Sequence, residues 1–320
     1  MPLKDKRSVF NEQRKIYESL KLNFLGVDGY DVYNCSLLIR ENNKNYIFGR
    51  VEKRDEWANS WTALFEQVEA DTFRLVADSK TYPLEDPFIT KIHGEYVLGG
   101  THVLKMKGKV NTFYGYFYRG KDLKNLTYFT TGPKRMKDIR LVEKPNGKIG
   151  VFSRPRGSEI AEIYGSEAVI GYTEIENLNE LSDEVIKNAE LISNVFHEGE
   201  WGGCNQVYCL DNGQLGVIGH VAEKTQGKDE ITYSTYMNAA FIFDSQEHCA
   251  HHFNIIGTRD CYPKGPAKLP YLSDCVFTSG IVPREDGKFD LYSGMGDCEE
   301  GRITIDNPFA GSRIIGPLLY

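Results

Sequence analysis

Short apolar runs rich in β-branched and aromatic residues recur along almost the whole chain, separated by polar breaks that carry Gly, Asn and Asp. "SLLIREN", "NYIFGRVE", "TFRLVAD", "EYVLGG", "NTFYGYFYRG" and "GKIGVFSRP" read as strands. So do "QVYCLDNGQLGVIGHV", "AAFIFD", "CVFTSGIV" and "KFDLYSGM". "PNGK", "DNGQ" and "EDGK", beginning at Pro145, Asp211 and Glu285, read as tight hairpin turns. Helical spacing is credible at the N-terminal "SVFNEQRKIYESLK" and at "LNELSDEVIKNAELI", residues 178–192. The second is either a helix or a long loop with one helical turn. Roughly twenty strands without long helices between them argue against a parallel α/β sheet and suit a β-propeller better than a pair of β-sandwiches. At about four strands and ~60 residues per blade, five blades fill the chain. The expected architecture is all-β: a five-bladed β-propeller over residues 26–320, preceded by a short helical extension over residues 1–25.

Composition narrows the function classes. The 320 residues are 41% apolar and 26% charged, the profile of an ordinary globular protein. A net charge of -7 argues against non-specific nucleic-acid binding, which needs a basic surface. No apolar run approaches the ~18 residues that read as a membrane span. The seven cysteines are odd in number and irregularly spaced, and the N-terminal stretch lacks an apolar signal core. They read as reduced thiols in a cytoplasm, where the sequons at Asn34 and Asn125 stay unmodified.

Candidate chemistry gathers at strand ends. Arg50 and Glu52 end one strand, before an aromatic-flanked loop, and Glu85-Asp86-Pro87 sits at the mouth of another. The proline restricts the backbone from which the two acids depart. Residues 132–157 are unusually basic for an acidic chain, with Lys134, Arg135, Lys137, Arg140, Arg154 and Arg156. They form either a solvated face or an anion pocket. "GEWGGCNQVY", residues 199–208, carries a glycine pair that permits close backbone approach to a ligand. His220 ends an apolar strand and Asp297 lies in a glycine turn. Taken singly, each is a surface ion pair, a turn or a structural histidine. Their shared position at strand ends suits a propeller, which gathers functional groups at one end of its channel.

The order of these motifs resembles the β-mannoside phosphorylases of glycoside hydrolase family 130, and more closely the mannosyltransferase/phosphorylase proteins of glycosyltransferase family 108. The matching residues are Arg50, "EDP" at 85–87, "KD" at 137–138, "RP" at 154–155, "WGG" at 201–203, His220 and "YSGMGD" at 292–297. They cover most of the chain from about residue 40 onward. One departure stands out: Phe88 occupies the place of the Arg in the usual "EDPR", removing a cationic contact and suggesting a different subsite.

The resemblance implies an inverting β-1,2-mannoside phosphorylase that moves a mannosyl group between a β-mannooligosaccharide and phosphate, with mannose 1-phosphate as product or donor. Phosphorolysis needs one acid and no protein base, because phosphate is already an anionic nucleophile; an inverting hydrolase needs a second carboxylate. Asp86 is the expected general acid, working through a sugar hydroxyl. Lys137, Arg154 and His220 occupy the family's phosphate positions. Arg50, Asp138 and Asp297 are expected to hold the mannosyl ring, with Glu85 orienting the loop or binding a hydroxyl. Trp57, Trp61 and Trp201 offer a stacking platform for the acceptor. Phosphate is a co-substrate; no cofactor, metal, nucleic acid or membrane is expected, and a homo-oligomer is compatible with the chain. The rivals are a GDP-mannose-dependent β-mannosyltransferase, a hydrolase using Glu52, Asp138 or Asp297 as base, and a non-catalytic sugar-binding propeller. "EHCAHH", with His248, Cys249, His251 and His252, matches no usual zinc spacing and reads as an imidazole-rich loop.

Overall fold

The computed structural model describes residues 1–227, 230–317 and 319. Its strands fall into five sheets, the blades of a five-bladed β-propeller. The first blade takes Asn23–Leu25, Asp31–Tyr33, Ile39–Glu41, Lys44–Glu52, Trp61–Glu69 and Thr72–Leu75. Glu85–Ile92, Glu95–Met106, Lys109–Gly120 and Thr127–Lys134 form the second. The third is small: Arg140–Glu143, Ile149–Ser153, Gly171–Ile175 and Glu190–Leu191. Trp201–Leu210, Leu215–Gln226, Thr232–Asp244 and Cys249–Gly257 make the fourth, with Ile314–Gly316 added beside its first strand. The fifth joins Val276–Pro283, Phe289–Met295 and Glu299–Ile305 to Glu18–Lys21 from the other end of the chain.

The turn chemistry acts as its sequence indicates. Gly147, Gly213 and Gly287 take φ of 82°, 84° and 79° in three hairpins, conformations that a side chain would oppose. The helical readings need correction. The N-terminal helix spans Leu3–Gln13, so Glu18–Lys21, read as helix, is strand. Residues 178–192 hold a three-residue 3-10 turn, a five-residue helix capped by Ser182, and a short strand. A further short helix, Ser158–Tyr164, was not expected.

First strands of successive blades touch around the ring, Glu85–Ile92 against Arg140–Glu143, that strand against Trp201–Leu210, and that in turn against Val276–Pro283. Apolar side chains fill the spaces between blades. Phe88, Phe117, Ile139 and Val151 pack together across the second and third, and Phe152, Tyr172, Val207 and Phe241 across the third and fourth. Tyr208 stitches the fourth blade to the fifth: its hydroxyl donates to Ile281 O (3.0 Å) and accepts from Ile281 N–H (2.8 Å).

Regular pairing breaks within three of these first strands, in the second blade at residues that line the cavity described below. Register shifts occur between Glu85 and Phe88, between Cys204 and Gln206, and between Thr278 and Gly280. A bulge bends the strand and re-aims the extra residue. The seven cysteines are unpaired. Among the described residues, no helix is long and apolar enough to cross a membrane.

Candidate active site

The sequence-named residues Arg50, Glu85, Asp86, Lys137, Asp138, Arg154, Trp201, His220 and Asp297 all line one cavity of about 460 Å³. They come from all five blades, so the cavity exists only when the ring is assembled. Asn34, Trp57, Phe113, Arg156, Glu167, Lys224 and Tyr236 line it too.

Backbone conformation aims the polar groups. Asn34, Asp86, Asp138 and Asp297 have φ of 47°, 50°, 54° and 55°, a left-handed region that Asn and Asp tolerate better than other side-chain-bearing residues. Asp86 bears the most constraint, since Pro87 follows it and limits its backbone further. Strain of this kind persists only where surrounding contacts enforce it.

Those contacts are ionic. Arg50 donates from Nη1 to Asp86 Oδ1 (2.9 Å) and from Nη2 to Glu85 Oε1 and Glu52 Oε2 (3.2 Å each). Lys137 Nζ donates to Glu85 Oε2 at 2.9 Å. Asn34 Nδ2 reaches Asp86 Oδ1 (2.8 Å) and Asp297 Oδ1 (3.4 Å), bridging two carboxyl groups. Glu52 is fully buried behind this layer, held by Lys268, Tyr33 OH (2.6 Å) and Asn59 N–H (2.7 Å). Across the cavity, Asp138 accepts from Arg140 (3.3 Å) and pairs with Arg154 (3.1 Å).

Charge states follow from these partners. Burial alone would raise the Asp86 carboxyl, but Arg50, Lys137 and the Asn34 amide override it and hold it at about 2. Asp138 is buried as well, yet Arg154 and Arg140 keep it below its usual range. Asp297 shifts upward, because desolvation and the Asp86 charge outweigh its distance-limited attraction to Arg50. His220 is pushed down to about 3 by burial and then by Arg154, so its ring is neutral. Its Nδ1 lies 2.7 Å from Asn205 Oδ1, and in the tautomer that donates there Nε2 keeps its lone pair.

Three sequence expectations change. The Gly202–Gly203 pair makes room for side chains of the protein itself: a Cβ on Gly203 would lie 2.9 Å from Arg154 Cδ and 3.1 Å from His220 Cε1. Gly202 also presents its carbonyl to Arg154 Nε at 2.6 Å. Phe88 does not border the cavity. It is buried between blades, and the Arg140 guanidinium lies 4.9 Å from its ring centre, so an Arg there would face a like charge. Of the tryptophans, Trp57 is exposed at the cavity rim and Trp201 is buried in its wall, donating to Tyr236 OH at 3.2 Å. Trp61 packs edge-on to Tyr30 and lies outside the lining. In "EHCAHH", donor atoms of Glu247, Cys249 and His251 come within 4.8 Å of one another on the outer edge of the fourth blade, apart from the cavity.

Asn34 and Glu300 escaped the sequence reading. Glu300 is buried, accepts from Ser279 Oγ (2.7 Å) and from Cys35 N–H (3.2 Å), and so fixes the turn that carries Asn34. Desolvation pushes it up to about 8, against 4.5 for an ordinary Glu. A carboxyl whose folded pKa lies above its unfolded value stabilises fully below the unfolded pKa, and that stabilisation is lost as pH rises through the folded one. Denaturant titrations therefore show stability declining from about pH 4.5 to about pH 8 through this group. Glu300→Gln flattens the decline; an unchanged slope between wild type and variant refutes the assignment.

A family model described as "protein of unknown function (DUF1861)" matches residues 8–311. A mannose phosphorylase from Leishmania mexicana, solved in complex with a phosphate ion, is 46% identical, with a TM-score of 0.93 over 99% of this chain and 96% of its own. The chain belongs to this family. Within the mannosyltransferase/phosphorylase family, a GDP-Man-dependent mannosyltransferase from Leishmania mexicana is 42% identical, with a TM-score of 0.92 over 99% of this chain and 98% of that one. A β-1,2-mannobiose phosphorylase from Listeria innocua, solved with β-1,2-mannobiose, is 15% identical (TM-score 0.60, 90% and 94% covered) and shares the fold. Comparison with curated proteins finds no match.

Proposed function

We propose that this family member is an inverting β-mannoside phosphorylase, moving a mannosyl group between a β-1,2-linked mannooligosaccharide and phosphate. The observation that carries the reading is that the buried carboxylate Asp86 lines one cavity with Lys137, Arg154 and His220, in a chain 46% identical to a phosphate-bound mannose phosphorylase. Lys137, Arg154 and His220 hold the phosphate: two as charged donors, His220 by accepting a hydrogen bond at Nε2 from a phosphate or sugar hydroxyl. Arg50, Glu85, Asp138 and Asp297 fix the sugar hydroxyls, and Trp57 and Trp201 supply apolar surface beside them.

Proton flow follows from the charge states. Beside Arg50, Lys137 and Asn34 the Asp86 carboxyl is ionised, the state needed to take the acceptor's proton when mannose 1-phosphate is the donor. In phosphorolysis it must give a proton. A phosphate dianion entering beside Lys137 and Arg154 offsets their charge and raises the Asp86 pKa. The same physics disfavours hydrolysis, which requires a carboxylate base for water. Asp138 is held by two arginines, Glu52 lies behind the lining with its oxygens occupied, and Asp297 shifts toward the protonated form.

The test is mannose release from β-1,2-mannobiose with and without phosphate, and phosphate release from mannose 1-phosphate with acceptor sugars. Phosphate-dependent turnover in both directions is expected. Equal release without phosphate makes the protein a hydrolase. The 42% identical GDP-Man-dependent enzyme favours a second reading, and reaction with GDP-mannose alone would select it. Binding without turnover leaves a sugar-binding propeller.

A further inference from the structure

None of the three residues proposed to hold phosphate brings a positive charge that is still uncommitted. Lys137 is 2.9 Å from Glu85, Arg154 is 3.1 Å from Asp138, and His220 is neutral. The other cations around the cavity are engaged as well: Arg50 is shared among Glu52, Glu85 and Asp86, and Lys224 closes onto Glu167. A dianion entering a lining whose charges already cancel loses its hydration without a fixed counter-charge to replace it.

Arg156 is different. Among the described residues it is the cavity-lining cation with no carboxylate at ion-pair distance. Its guanidinium carbon lies 5.9 Å from the centre of the Phe113 ring, so it leans across the mouth from the third blade toward the second. The backbone beneath it is held rather than loose. Arg156 bridges to Ala168, Val169 N–H donates to Pro155 O (3.0 Å), and the Ser158–Tyr164 helix begins immediately beyond Gly157. Lost solvation and the nearby Arg154 charge lower its proton affinity, and the more distant Asp138 and Glu167 charges offset this only in part.

We propose that Arg156 is the phosphoryl clamp of this cavity: its guanidinium pairs with the non-bridging oxygens of the phosphate that enters beside Lys137 and Arg154. The assignment rests on the phosphate-dependent reading above and adds the residue that supplies the net charge. A planar guanidinium suits this task because it can hold two phosphate oxygens at once, whereas an ammonium holds them as a point charge. The ligand chemistry is a tetrahedral phosphoryl dianion, shared by inorganic phosphate and mannose 1-phosphate. Held from the mouth, the phosphoryl group would seal the cavity behind the sugar.

The experiment compares wild type, Arg156→Ala and Arg156→Lys. Calorimetry gives the Kd for inorganic phosphate and for mannose 1-phosphate, and kinetics give KM for phosphate and for β-1,2-mannobiose. Arg156→Ala is expected to weaken both phosphoryl ligands on the order of tenfold to a hundredfold, the loss of one charge-assisted partner. The KM for mannobiose should stay within about twofold, since no sugar contact is removed. Arg156→Lys recovers part of the affinity, because charge returns without the planar fork. A purely structural role would move the mannobiose KM or the melting temperature as well.

Phosphate binding by Arg156→Ala equal to wild type overturns the clamp and leaves the phosphorylase reading standing. A variant that loses mannose 1-phosphate affinity alone, with inorganic phosphate unchanged, overturns it too, by placing Arg156 against the sugar rather than the shared phosphoryl group. Wild type that turns over mannoside without binding phosphate overturns both proposals together.

Discussion

Asp86→Asn is expected to lower mannosyl transfer by at least about 10²–10⁴-fold, the contribution of a positioned acid–base group, while the protein stays folded. Asparagine keeps an acceptor for Arg50 Nη1 and for Asn34 Nδ2, so the surrounding bonds persist; what disappears is a carboxyl that can carry a proton. The pH profile should shift with direction. Synthesis from mannose 1-phosphate needs the ionised form and should fall off first as pH falls, from a point above about 2, because the bound phosphoryl group offsets the cations that hold Asp86 at that value. Phosphorolysis needs the protonated form and should fall off first as pH rises. Circular dichroism and a melting curve establish folding, and initial rates in both directions establish the loss. A folded variant with substantial activity moves the proton to another group, and Asp297 is then the first to test.

The second large effect is on stability. Arg50 is buried among Glu52, Glu85 and Asp86, and its replacement by Met leaves three carboxylates facing one another with only Lys137 and Lys268 to offset them. Breaking a buried ion network by removing one partner costs about 3–5 kcal/mol. Guanidinium unfolding of Arg50→Met should show a loss of that order at pH 7. The deficit should shrink at acid pH. In wild type, Glu52 and Asp86 have folded pKa values of about 2, below their unfolded values, so their stabilisation is present above the unfolded pKa and lost as pH falls through the folded one. Without Arg50 that contribution is largely gone, and protonation relieves repulsion instead. A loss under about 1 kcal/mol at neutral pH would mean that the carboxylates find other partners.

Much of this site was legible because its chemistry is written in contiguous letters. "EDP" announces Asp86 through the proline that follows it, and "RP" and "KD" mark Arg154, Lys137 and Asp138 in the one basic stretch of an acidic chain. Asn34 was visible only as an unused glycosylation sequon. Its importance comes from a left-handed backbone and from Gly294, where a Cβ would sit 1.9 Å from Asn34 Oδ1, and neither is encoded near residue 34. Lys268 is tied to Glu52 across a sequence separation of 216, and Glu300 to Cys35 across 265, so local pattern could not pair them. The strand count was legible for the opposite reason: turn chemistry at Gly147, Gly213 and Gly287 is local. Trp201–Leu210 is buried at every position, so its length could not be read from apolar–polar alternation. "ESLK" reads as the tail of an exposed helix and is strand only because Glu299–Ile305 awaits it.

That last pairing bears on how the protein is made. Glu18 and Arg302 meet across a separation of 284 residues, and Asn34 and Asp297 across 263. At roughly 5–20 residues per second, the earliest strand leaves the ribosome on the order of tens of seconds before its partner exists. During that interval Glu18–Lys21 has an unpaired edge, and Asn34 has no second carboxyl to bridge. Earlier blades can pack in order as they emerge, because their strands are neighbours in sequence, whereas ring closure bears the entropy of the longest loop in the molecule. Nascent chains stalled before the fifth blade should then carry ordered sheet yet bind neither sugar nor phosphate, with binding arriving in one step on release.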